Sequence, residues 1–373
     1  MEQEKKVEYV ELIYDLIFVY LIGRNNTLLH VIKDGFIDPS SFLTYVLAAL
    51  IVLQIWYNST LFVNRYGKND RSMHVYLFVN MYLLYFMAKG IRADWQEAYY
   101  TFNGAWALTL VNTAVQYWLQ LRKDGGRDPW GDARTKLTIQ TMFIQVAVIL
   151  ASFPVFHYTG IPLSPVAMAL GYAFAMAVGS INLLVPVEFG HLSERVMLYV
   201  VFTFGEMIIA LSAYFEGGAG AQTIYYSALG FLIVAGLFVS YGYAYDHLID
   251  RKKNTNGTGF MMLHILLILS LNHITAALEF MPEPGIDSFA KNAFLVLSFI
   301  VYFATLYGVM RYNKPHLLLT RRMKIQLACE TAAFAGLILL TYRNGMVSIA
   351  ITAAYIWLVF FSLRSFHRAR TVS

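Results

Sequence analysis

Cysteine is nearly missing from this chain: Cys329 is the one cysteine in 373 residues. A single thiol excludes a disulfide framework and any thiolate-rich metal site. Because Cys329 lies in an apolar run, it is expected to be a small packed side chain. Charge is scarce as well. Charged residues make up 14% of the chain, against about 25% in soluble domains, while hydrophobic residues reach 58% and the mean hydropathy is +0.53. With apolar runs of about 20 residues repeating throughout, this places the chain in a lipid bilayer. The net charge of +5 does not point to nucleic acid, because the basic residues sit in short loops between apolar runs. The opening MEQEKKVEYVE lacks the basic, apolar and cleavage-site order of a signal peptide, so the first helix is expected to stay in the mature protein.

Several enzyme classes are excluded by what is absent. The nine histidines are scattered and form none of the clustered boxes that hold iron in membrane oxidases or desaturases. There is no H-E-x-x-H zinc motif, and no lysine lies mid-span to carry a retinal Schiff base. A mixed set of His191, Glu194 and Glu206 keeps an intramembrane metal-dependent enzyme as an alternative. The sequence names no cofactor.

The apolar runs and their charged breaks predict an all-α polytopic membrane protein of about twelve transmembrane helices. Six lie near residues 9–30, 40–63, 72–90, 98–121, 138–157 and 162–184. Six more lie near 195–215, 222–246, 259–280, 288–310, 323–342 and 345–364; two re-entrant segments would reduce the count to ten. The longest loop, residues 122–136, is polar and turn-rich and has no room for a nucleotide-binding domain. Twenty-two basic residues fall on one side of these spans and six on the other. By the positive-inside rule both termini are then cytoplasmic.

The halves 1–187 and 188–373 are expected to be two parallel six-helix repeats. Asp15 is matched by Glu206 after 191 residues, Asn58 by Asp246 after 188, and His74 by His264 after 190. Parallel repeats are a known transporter plan, with the site at the repeat interface.

Two polar stretches stand out. Residues 7–26, VEYVELIYDLIFVYLIGRNN, carry Glu8, Glu11 and Asp15 at spacings of three and four, on one helix face. A charged side chain at the bilayer centre costs roughly 2.5–3.5 kcal/mol on insertion scales, so these acids are expected to face the interior or a wet cavity. Residues 191–211, HLSERVMLYVVFTFGEMIIAL, place His191, Glu194 and Arg195 just before the seventh span and Glu206 about three turns inside it. A polar helix start accounts equally well for the first three. Asp15, Glu206, Glu11, Asn58 and Asp246 are the expected substrate or ion pathway, with Arg65, His191, Glu194 and Arg195 as charge partners. Among the other intramembrane polar residues, most are expected to be interhelical hydrogen bonds; His273 and Glu330 are the two candidates for a role.

The same stretches resemble the bacterial low temperature requirement A family. Its E-L-F-F-D-L-V-F-V pattern is similar to Glu11-Leu12-Ile13-Tyr14-Asp15-Leu16-Ile17-Phe18-Val19. Its H-L-x-E-R and L-G-E motifs are matched by His191-Leu192-Ser193-Glu194-Arg195 and Phe204-Gly205-Glu206. Its aromatic-Asn-Arg ending of the second span looks like Trp56, Tyr57, Asn58, Asn64 and Arg65. The chain departs from the family after Val19, where Arg24, Asn25 and Asn26 follow. The resemblance covers nearly the whole chain and implies a membrane location without a defined activity. More loosely, the first span resembles the motif helix of the lysosomal transmembrane potassium channel family, also built from six-span repeats. Its serine is missing here, so potassium selectivity does not carry over. The combined expectation is a transporter or channel for a small solute, cation or proton, with room for a homo-oligomer. The alternative is a structural or assembly protein whose acids are buried folding pairs.

Overall fold

The computed structural model describes residues 5–92, 95–124, 129–177, 187–215 and 220–371. Among them it is 85% helical, with twelve α-helices. They are α1 (Tyr9–Asn26), α2 (Pro39–Tyr66), α3 (Arg71–Lys89), α4 (Trp95–Asp124), α5 (Pro129–Thr159), α6 (Ser164–Ala177), α7 (Phe189–Ala210), α8 (Ala221–Tyr243), α9 (Thr258–Phe280), α10 (Ser288–Val309), α11 (Arg321–Thr341) and α12 (Gly345–Thr371). Each corresponds to one predicted span. The C-terminal end of the sixth predicted span, residues 178–184, lies outside the described residues.

Among the described residues, seven helices are long and apolar enough to cross a membrane: α2, α5 and α8 to α12. What sets α1 and α7 apart is charge. α1 holds Glu11, Asp15 and Arg24, and α7 holds Glu194, Arg195 and Glu206. Of these, Glu11, Asp15 and Arg195 are buried, so the interior must supply what water would at an exposed helix.

Two sequence expectations are corrected. The polar stretch 122–136 is mostly helix, because α4 continues to Asp124 and α5 begins at Pro129. Proline is preorganised for the first helical position, and Asp132 in the first turn suits the positive end of the dipole. Cys329 is exposed on α11; in this apolar helix the buried positions are Met323, Leu327, Phe334 and Ile338, a stripe that Cys329 does not join. Arg24 and Asn25, where the chain departs from the family pattern, sit inside α1 as the predicted span has them, and Asn25 is buried and donates to the Tyr45 carbonyl at 2.9 Å.

The chain forms two compact units. The first comprises Met1–Val31, Pro39–Leu198 and Lys252–Met261. Within it α1 packs on α2 and α3, α3 on α4, α4 on α5, and α5 on α6. α2 is its most enclosed helix, buried from Ile51 to Asn64 with Asn58 alone half-buried. Polar side chains join neighbouring helices: Asn112 donates to the Asn80 Oδ1 at 2.9 Å, and Asn80 donates to the Tyr14 hydroxyl at 3.4 Å.

The second unit comprises Ile32–Asp38, Tyr199–Arg251 and Met262–Ser373. Here α8 and α11 both pack on α12, and α10 packs on α11. Its small hairpin pairs Ile32 with Ile37 and Lys33 with Phe36. Asp34 and Gly35 turn it with φ of 52° and 86°, as a tight two-residue hairpin turn requires. The Asp34-Gly35 pair is itself a sequence signal for such a turn.

Candidate functional site

Glu11 and Asp15 on α1 are four residues apart, and so are His191 and Arg195 on α7. That spacing puts each pair on one helix face. In the first unit the acidic face of α1 meets the basic face of α7. Arg195 Nε and Nη2 donate to the two Asp15 oxygens at 3.2 and 2.9 Å, a bidentate pair that fits the guanidinium fork. Arg195 Nη1 stands 3.2 Å from Glu11 Oε2, and His191 Nε2 stands 3.4 Å from the same oxygen. The side chains of all four are fully enclosed.

α2 completes the site with Trp56 and Asn64, eight residues apart and so on one helix face. Trp56 Nε1 donates to Asp15 Oδ1 at 3.1 Å. Asn64 is fixed by Glu188, whose N–H donates to its Oδ1 at 3.1 Å and whose carbonyl accepts from its Nδ2 at 3.0 Å. The same Nδ2 lies 3.0 Å from His191 Nδ1. With the amide so oriented, Nδ1 is an acceptor and the imidazole proton sits on Nε2, facing Glu11. The tyrosine of the Tyr14-Asp15 pair is equally enclosed, and its ring lies 5.9 Å from the Arg195 guanidinium.

The two carboxylates differ. Every oxygen of Asp15 is satisfied. Glu11 closes a capping box at the start of α1, where the Glu8 N–H approaches its Oε1 at 3.4 Å. Its Oε2 sits between Arg195 and His191 without a well-formed hydrogen bond to either. Glu11 also lines a cleft of about 610 Å³, together with Lys5, Lys6, Glu8, Lys68 and Asn69. Asn69 donates to Glu8 at 2.8 Å, and the half-buried His74 ring bonds its Oδ1 at 2.7 Å. Polar groups thus run from the surface to Glu11. Lys5 roofs the cleft: its ammonium donates to the last carbonyls of α2, from Val63 and Asn64, and burial holds its pKa below the usual range.

The remaining expected site residues are elsewhere. Glu194 is half-buried and joins no ion pair among the described residues. Glu206 belongs to the second unit, half-buried, with Glu279 as its charged neighbour. Asp15 and Glu206 therefore lie in unlike surroundings. So do their companions: Asn58 is half-buried, whereas Asp246 is exposed past the end of α8 and pairs with Arg251 at 3.2 Å. Arg65, expected as a partner of the acids, pairs with none of them; it stands among Tyr57, Tyr66 and Tyr117. His273 packs against Phe294 at 5.5 Å. Glu330 accepts from Gln326 at 2.9 Å and from Ser362 at 2.7 Å. Trp56 and Asn64 were visible in the sequence as part of a motif but not as site residues; their spacing of eight on α2 was the available signal.

A helical chain with several apolar helices of membrane-crossing length, organised around enclosed charges, is a multi-pass membrane protein. It belongs to the bacterial low temperature requirement A protein (LtrA) family, whose family model matches residues 6–361. No curated protein matches the chain.

Proposed function

We propose that this protein transports a proton or a small monovalent cation, alone or coupled to a solute, and that Glu11 is the exchanging group. One observation carries this reading: the enclosed cluster sets two carboxylates against one guanidinium. With the imidazole proton on Nε2 alone, the enclosed set keeps one negative charge, and the Lys5 ammonium on which Glu11 acts from the cleft is already engaged by the Val63 and Asn64 carbonyls. An uncompensated buried charge is strongly disfavoured, so a proton or cation from the cleft would balance it. Asp15, held on both oxygens, acts in this reading as the fixed counter-ion that keeps Arg195 aimed at Glu11. His191 relays, and Glu206 in the second unit is a separate acid. By the distribution of basic residues the cleft opens to the cytoplasm, with both termini on that side. The two halves 1–187 and 188–373 would be parallel repeats that have diverged most at their acids.

The test is flux in proteoliposomes, driven in turn by proton, sodium and potassium gradients. Glu11→Gln is expected to reduce the wild-type flux at least tenfold in protein that elutes as a folded species, while Glu206→Gln retains most of it. Undiminished flux in Glu11→Gln would overturn the assignment. A structural role is the second reading, favoured by the complete satisfaction of Asp15. It is supported if folded wild-type protein moves none of these ions.

A further inference from the structure

α2 presents a second polar face, turned away from the charge cluster. Asn58, Leu61 and Arg65 follow at spacings of three and four, which is one side of a helix. Asn58 and Leu61 line a small cavity of about 30 Å³, together with Tyr57, Tyr117, Arg134 and Thr138. The cavity lies among α2, α4, α5 and α6, within the first unit. It holds a basic group of its own, since Arg134 is only 7% exposed.

Arg65, one turn beyond Leu61, is the unusual member. An arginine at the end of a span ordinarily snorkels its charge into water. Here all three guanidinium nitrogens are shielded from solvent, and none makes a well-formed hydrogen bond. The groups that act on it are Tyr57, Tyr66 and Tyr117, with the Tyr117 hydroxyl in weak reach; Tyr57 and Tyr117 are also cavity walls. No carboxylate pairs with Arg65 among the described residues.

A guanidinium has donors only and stays charged in proteins, while tyrosine hydroxyls and the asparagine amide can donate as well. Two arginines beside a cavity whose lining has no acid call for a negative partner. Size narrows the choice. A water needs roughly 10–15 Å³ of such space, so this cavity holds one ion of halide size, and a tetrahedral oxyanion is too large. We propose that the cavity among Tyr57, Asn58, Tyr117 and Arg134, with Arg65 beside it, is a binding site for a single small monovalent anion of the chloride type.

The site is read by stability, so it stands or falls independently of any transport activity. The purified full-length chain is unfolded thermally in sodium chloride, sodium bromide and sodium gluconate at one ionic strength. Chloride and bromide are expected to raise the midpoint above that in gluconate, saturating with concentration. Arg65→Gln is expected to lose the difference, and Arg134→Gln to require several-fold more halide. If Arg65→Gln does not fold, Arg65→Lys answers the same question: it keeps the charge without the fork, and its halide response is expected to weaken several-fold. Equal wild-type midpoints in chloride and gluconate would overturn the proposal, and so would an unchanged halide response in the Arg65 variant that folds.

Discussion

Arg195 is the residue on which the interior of the first unit depends. It faces two carboxylates, with its side chain fully enclosed, so removing it leaves two buried acids without their cation. Breaking a buried pair from one side costs about 3–5 kcal/mol, whereas replacing both partners by apolar groups is often neutral. Arg195→Met is therefore expected to lower unfolding stability by about 3–5 kcal/mol. The double variant Arg195→Met/Asp15→Leu is expected to recover a large part of that loss. Thermal or denaturant unfolding of both proteins in one detergent is the check, and a double variant no more stable than the single one would contradict the pairing. At this scale the sequence was half legible. The spacing of Glu11 and Asp15, and of His191 and Arg195, identified two polar faces. Spacing marks a face without saying what it meets: Arg195 was expected among the charge partners of the acids, but its bidentate hold on Asp15 was not legible.

At the scale of elements, the helices were nearly all readable, because each needs a long apolar run and each run is bounded by charge. The misplaced limits have one cause. Helices continue past the apolar stretch wherever caps and dipole charges favour them, as α5 does back to Pro129. What sequence does not reveal is how closely two helices approach. Gly90 ends α3 against α4, and a Cβ built there would stand 2.8 Å from the Phe102 backbone nitrogen. Backbone cannot swing aside as a flexible side chain can. Gly90→Ala is thus expected to force α3 and α4 apart and to cost about 1–3 kcal/mol, the usual range for overpacking. Gly104 of α4, where a Cβ would meet nothing within 4 Å, is the internal control. Gly104→Ala is expected to be neutral or slightly stabilising, since alanine is the better helix former. Equal effects at the two glycines would refute the steric account.

For the whole molecule, the open question is which loops share a side of the membrane, and charge alone gives the expectation. Twenty-two of the 28 basic residues were assigned to one side. In that arrangement Lys68, after α2, and Arg251, after α8, face the cytoplasm, while Lys33 and Arg343 face outward. All four are exposed, so each can report. The single cysteine makes the experiment direct: Cys329 is exposed, so Cys329→Ser should give a folded, thiol-free chain. Single cysteines at positions 33 and 343 are expected to react with a membrane-impermeant maleimide in intact cells. Cysteines at 68 and 251 are expected to react only once the membrane is opened. α2 separates residues 33 and 68 and is apolar and long enough to cross, so labelling of both from outside would contradict a crossing by α2. Residues 68 and 251 are separated by six predicted spans, three of them among the less apolar helices α3, α4 and α7. Shared protection there means an even number of crossings, as the twelve-span reading requires. Labelling of 251 alone in intact cells would mean an odd number, with one of those charged or polar helices lying outside the bilayer.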